Sequence, residues 1–123
     1  MDINKLTEKI IGCAYRVHNT LGPGFLEKVY ENALLIELQE EKLKAKQQEP
    51  IKVFYRDHVV GEYFSDLFVE DCLIIEIKAV QKLSKEHEVQ LVHYLNATGI
   101  ENGLLINFGP SVEVKRKFKY YKQ

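Results

Sequence analysis

The sequence predicts an α/β fold, a mixed β-sheet flanked by helices in the order ααβββαββ. Three observations carry this. Apolar residues recur at helical spacing through the N-terminal third. From Ile51 the period shortens to two. A continuously apolar stretch around Ile75 is followed by a helical pattern and a second apolar stretch around Ile106. That is the sequence form of a parallel crossover.

The elements follow in order. Residues 2–20 read as a helix, with Ile3, Leu6, Ile10, Cys13 and Val17 as one apolar stripe and Asp2 or Asn4 as its cap. Gly22, Pro23 and Gly24 break the chain. A second helix is predicted over 25–42, with Leu26, Val29, Ala33 and Ile36 at helical spacing and Tyr30, Leu34 and Leu38 widening the buried face. Lys42 and Lys44 suit its negative end. Pro50 marks an irregular point or a strand start. Ile51, Val53 and Tyr55 then alternate with Lys52, Phe54 and Arg56, and Asp57 and His58 form the expected hairpin turn. Strands follow over 59–69 and 72–80, separated by a turn at Glu70 and Asp71. Leu73, Ile74, Ile75 and Ile77 put apolar side chains on both faces of the second, as in a central strand. Residues 85–97 form a third helix capped by Ser84, with Val89, Val92 and Leu95 inward and Thr98 and Gly99 at its end. Strands over 103–108 and 112–120 complete the chain, with Gly109 and Pro110 turning between them.

The chain has 123 residues, so one domain spanning 1–123 is expected. No apolar run approaches the roughly 20 residues of a membrane span, and no secretory h-region is visible near the start, so the expected location is the cytoplasm. Cys13 and Cys72 suggest neither a disulfide framework nor a zinc ribbon. A formal net charge of −1 argues against coating nucleic acid by bulk charge but not against a local groove. Lys115, Arg116, Lys117, Lys119 and Lys122 crowd the C-terminus, and read as a solvated edge strand that resists aggregation.

Glu76 and Lys78 interrupt the most apolar strand. Two residues apart, they project from one face. A buried charge needs a partner. The pair is therefore either a structural ion pair or part of a site. Asp66 raises the same question on the preceding strand, where it shares a face with Phe64 and Phe68. A hairpin through Glu70 and Asp71 can bring Asp66 near Glu76. Two close carboxylates repel each other, and a hard divalent cation, Mg²⁺ or Mn²⁺, removes that repulsion. Glu27 sits in a helix first turn, where a carboxylate is favoured whatever its function. Tyr30 follows it on nearly the same face. Gln90 and Tyr94 are one helical turn apart, as ordinary helix faces also are. His18 lies beside the first apolar stripe, a common structural place for a histidine. Gly22, Pro23 and Gly24 match no phosphate loop.

These residues, in this order, resemble the PD-(D/E)xK nuclease superfamily, and within it the GxxExxY proteins. Gly24, Glu27 and Tyr30 fit the naming motif within HNTLGPGFLEKVYENAL. Asp66 followed by Glu76-Ile77-Lys78 resembles the superfamily's acidic residue and E-x-K, with Ser65 where many members have proline. Gln90 through Tyr94 resembles the Q-x-x-x-Y of the RecB-like branch, and TGIENGLLINFG resembles the later strand. The likeness covers nearly the whole chain and implies a restriction-endonuclease-like core. It also implies roles. Asp66, Glu76 and the Ile77 carbonyl would ligate Mg²⁺ or Mn²⁺. Lys78 would serve the attacking water and the developing charge. Glu27 would orient a water or help hold a second ion. Gln90, Tyr94 and Tyr30 would contact substrate, and His18 would complete the site.

The expected function is thus a metal-dependent nuclease acting on nucleic acid, with DNA the expected polymer. The alternative is an inactive nuclease-fold module that binds nucleic acid or serves as an oligomeric scaffold. A third reading is a structural protein with a buried ion-pair network. So short a chain leaves little surface to grip a long polymer, which points to a homo-oligomer or a helicase-type partner, and not to a membrane.

Overall fold

A computed structural model of the chain describes residues 2–119. Helix α1 spans Ile3–Leu21 and is capped by Asp2, whose carboxylate accepts the Asn4 amide at 3.0 Å. Its stripe of Leu6, Ile10, Cys13 and Val17 is buried as the spacing requires. Helix α2 spans Glu27–Glu40, shorter at both ends than the pattern suggested. Its buried face is Tyr30, Glu31, Leu34 and Leu38. Leu26 and Ile36 are 81% and 58% exposed, and Val29 is also exposed. Two apolar stripes satisfy helical spacing in this segment, and packing on the sheet selects the one that contains Tyr30.

Strands β1 (Ala45–Tyr55) and β2 (His58–Val69) form a long hairpin closed by Arg56 and Asp57, one residue earlier than expected. Arg56 takes a positive φ of 54° there. Pro50 lies inside β1, which is tolerable because β1 is an edge strand. Lys44 does not serve the helix end: it pairs with Asp71 of the next turn at 2.7 Å.

Strand β3 (Leu73–Lys78) is followed by α3 (Lys85–Thr98), β4 (Asn102–Phe108) and β5 (Val112–Phe118). The expectation of a strand reaching Tyr120 and the basic Lys122 lie outside the described residues. Ser84 and His87 form a capping box on α3, and Gly99 ends it in the left-handed conformation at φ 77°. The inward residues of α3 are Leu91, Tyr94 and Leu95; Val89 is exposed, because the helix is rotated from the orientation its valines suggest.

The five strands lie in the order β1-β2-β3-β4-β5, antiparallel except for the parallel β3–β4 pair. This is the mixed sheet the sequence predicts. Leu73, Ile75 and Ile77 of β3, with Leu104, Ile106 and Phe108 of β4, pack into one core with α1 and α2. Ile74 and Leu105 pack into a second core with α3. The basic edge strand is tied down more than a solvated edge requires: Lys117 pairs with Glu88 at 2.9 Å and Arg116 donates to Asn4 at 2.8 Å.

Candidate active site

The site lies where the sheet opens. β2 pairs with β3 through Leu67 with Ile75, Phe68 with Ile74 and Val69 with Leu73. Beyond Leu67 side chains take over the ladder. The Ile77 amide donates to Asp66 Oδ2 at 2.7 Å. The Asp66 amide donates to Glu76 Oε2 at 2.9 Å. Backbone amides at this depth need acceptors, and the two carboxylates supply them. The same bonds hold the carboxylates side by side.

Glu76 is 6% exposed. Burial, then the Asp66 charge, pushes its carboxyl up to about 8. Burial also raises Asp66, against the lowering effect of the Ile77 amide bond; Glu31 and Glu27 raise it further and Lys78 lowers it. Lys78, half-buried at the end of β3, forms no ion pair within 4.0 Å among the described residues. Glu76 therefore takes the Asp66 amide where the structural reading required a Glu76–Lys78 ion pair.

Tyr94 approaches from α3. It is buried, and its hydroxyl is pushed up to about 12, first by burial and then by Glu76, Tyr63 and Asp66. Its ring lies 5.5 Å from that of Tyr63. Tyr94 and the exposed Gln90 line a groove of ≈ 770 Å³ with Tyr63, Val89, His93 and Lys85.

The remaining sequence-predicted residues divide. Glu27 opens α2 as an exposed residue and reaches Asp66 through its charge. Tyr30 is fully buried, so its hydroxyl is not offered to a substrate. It donates to the Gly22 carbonyl at 2.6 Å and accepts the Phe25 amide at 3.2 Å. Its ring stacks on Phe108 at 4.7 Å. Tyr30 thus fastens the Gly-Pro-Gly turn. His18 places Nε2 2.8 Å from the Gly109 carbonyl, an acceptor, so the proton sits on Nε2. It also stacks on Phe108, at 6.4 Å.

Glu31 escaped the sequence reading. It is 3% exposed, and its charge acts on both Asp66 and Glu76. Its signal was the position next to Tyr30, once Tyr30 is known to point inward.

Among the described residues no group of three or more His, Cys, Asp or Glu side chains could hold a metal alone. An all-oxygen set of one buried and one half-buried carboxylate, with the Asp66 charge raising the proton affinity of Glu76, still fits a hard divalent cation. Mg²⁺ commonly takes one or two carboxylates and completes its shell with water and substrate phosphate.

Comparison with known proteins accords with this geometry. The chain is similar over 78% of its length to a solved structure titled "Crystal structure of SSO0001", with 16% identity and a TM-score of 0.61. The likeness is one of fold, and the chain spans 52% of that protein's chain. No curated protein matches the sequence. The family model of the PD-(D/E)XK nuclease superfamily matches residues 4–119. With its five-stranded mixed sheet, flanking helices and ααβββαββ order, the chain belongs to the PD-(D/E)XK nuclease superfamily.

Proposed function

We propose that this protein is a metal-dependent nuclease that hydrolyses phosphodiester bonds of nucleic acid, DNA in the first instance, and that it belongs to the GxxExxY group near the RecB-like branch. The observation that carries the reading is the reciprocal pair of bonds at the sheet opening. Half-buried Asp66 and buried Glu76 stand side by side, at an electrostatic cost that a cation would remove.

Asp66, Glu76 and the Ile77 carbonyl would hold Mg²⁺ or Mn²⁺. Such a cation supplies Lewis acidity toward a phosphoryl oxygen and a nucleophile at neutral pH. Lys78, a half-buried cation without an ion-pair partner among the described residues, places positive charge where a phosphoryl oxygen gains negative charge, and orients the attacking water. Tyr94 keeps its proton at any physiological pH, so it donates to the substrate backbone. Gln90 adds an amide donor on the groove side. Glu27 orients water from the rim. His18 supports the loop after β4 through Gly109. A second copy or a helicase-type partner would extend a grip that a net charge of −1 leaves weak.

The test is cleavage of single- and double-stranded DNA and RNA with Mg²⁺ or Mn²⁺. Lys78→Ala is expected to abolish cleavage while circular dichroism and melting stay close to wild type. Equal cleavage by both proteins sinks the assignment. The alternative reading is an inactive nucleic-acid-binding or scaffold module. That reading expects binding indifferent to Mg²⁺ and to Glu76→Gln.

A further inference from the structure

Strand β1 contains an anomaly directly across from Asp66. The pairs Gln47 with Leu67 and Glu49 with Ser65 flank that position, so Gln48 faces Asp66. Gln48 has φ 52°, a left-handed conformation that non-glycine residues adopt rarely and β-strands do not need. Successive residues of a regular strand point to opposite faces. Here Gln47 and Gln48 both reach one carboxylate. Gln47 Nε2 donates to Glu31 Oε2 at 2.7 Å, and Gln48 Nε2 donates to both Glu31 oxygens at 3.2 Å. Lys28 completes the set at 3.1 Å, and Gln47 also donates to Asn32 at 2.8 Å.

Strain of this kind persists where the surroundings over-determine it, and it concentrates at functional positions. A simple anchor between α2 and β1 needs no charge, since an apolar side chain on α2 would pack there at less cost. The sequence keeps a buried acid beside two others, and its charge raises both Asp66 and Glu76.

We infer that Glu31 is a positioning residue for the Asp66–Glu76 pair, acting through Gln47 and Gln48 to fix β1, and hence Asp66, where the sheet opens. The metal readout of this inference rests on the function proposed above; its backbone readout does not. Outer partners of metal ligands commonly affect metal affinity by about 10- to 100-fold.

The experiment is Mg²⁺ titration calorimetry on wild type, Glu31→Gln and the exchanged variant Glu31→Gln/Gln48→Glu, with amide hydrogen exchange at Asp66 and Ile77 measured on each. Glu31→Gln is expected to weaken Mg²⁺ binding by about 10- to 100-fold and to speed exchange at both amides by about tenfold or more. The exchanged variant, which restores one carboxylate and one amide to the contact, should recover much of both. Gln48→Gly serves if Glu31→Gln does not fold: glycine accepts the positive φ and removes only the side-chain contact. It should reproduce the weaker binding and the faster exchange. A lowered melting temperature with unchanged Mg²⁺ affinity overturns the inference and leaves Glu31 a structural anchor. If wild type binds no Mg²⁺, the proposed metal role fails and exchange decides. Exchange that speeds at Asp66 and Ile77 in Glu31→Gln while residues 104–106 stay unchanged then supports the positioning role, and unchanged exchange, or equal speeding at all of them, overturns it.

Discussion

Burial and the Asp66 charge favour the protonated form of Glu76, and a pH dependence of stability follows from that. Its carboxyl is pushed from an ordinary 4.5 up to about 8 by burial and by Asp66. An acid whose folded value is raised binds its proton more tightly in the native state than in the unfolded chain. Its contribution is therefore full below about 4.5 and is lost as pH rises toward 8. The metal-free protein should lose a few kcal/mol of stability across that interval. Glu76→Gln should flatten the profile. Urea unfolding at a series of pH values measures both, and a wild-type profile that rises through the same interval would contradict the assignment. Divalent metal should reverse the trend, because it takes the ionised form: Mg²⁺ binding should release protons below pH 8 and tighten as pH rises. Calorimetry in buffers of different ionisation enthalpy would count those protons. This part of the site was legible in the sequence because a charge in an apolar strand is conspicuous whatever the packing. Glu31 was not, since an acid on a helix looks solvated until the helix's rotation is known.

At the scale of elements, α2 shows what governs that rotation. Leu26, Val29 and Ile36 compete with Tyr30, Leu34 and Leu38 for the sheet, and the second set is the one buried. Tyr30 helps to select it through two hydrogen bonds to the Gly-Pro-Gly turn and a stacked contact with Phe108. The helix can then present Glu31 inward. Tyr30→Phe keeps the stack and removes the hydroxyl, leaving the Gly22 carbonyl and the Phe25 amide without it. The expected loss is about 1–3 kcal/mol, read as a shifted urea midpoint with an unchanged m-value. Retention of full stability would mean that the turn holds itself. Helix α3 ends on Gly99 at φ 77° with open space at the Cβ position, so Gly99→Ala tests backbone strain with no clash. It should cost about 1 kcal/mol. The end of α3 was legible because Thr98 and Gly99 are local signals. Its rotation was not, because Val89 and Leu91 are equally apolar and only the sheet distinguishes them.

Across the whole molecule, stability should be uneven in a way the topology dictates. The order of elements was legible because each strand and helix carries its own period and its own breakers. How far each strand pairs was not, since that depends on which neighbours the finished sheet supplies. β1 and β2 stay paired as far as Tyr55 and His58, whereas β2 pairs β3 only from Leu67 onward. The distal hairpin is thus a two-stranded arm, and Phe54, Tyr55, Val59 and Val60 on it are exposed. A two-stranded ribbon is marginal by itself. β3 and β4 are buried between the two cores. Native-state hydrogen exchange should therefore rank the chain. Amides of residues 54–60 should exchange through local opening at little free-energy cost, and those of residues 73–75 and 104–106 only near global unfolding. The base of the arm leans on α3 through the Tyr63–Tyr94 ring contact. Tyr63→Ala should accordingly speed exchange in the arm by about tenfold while leaving the central strands unchanged, for the loss of an aromatic pair worth about 0.5–1.5 kcal/mol beyond its buried area. Equal protection of arm and centre would show that the hairpin and the two cores unfold as one cooperative unit.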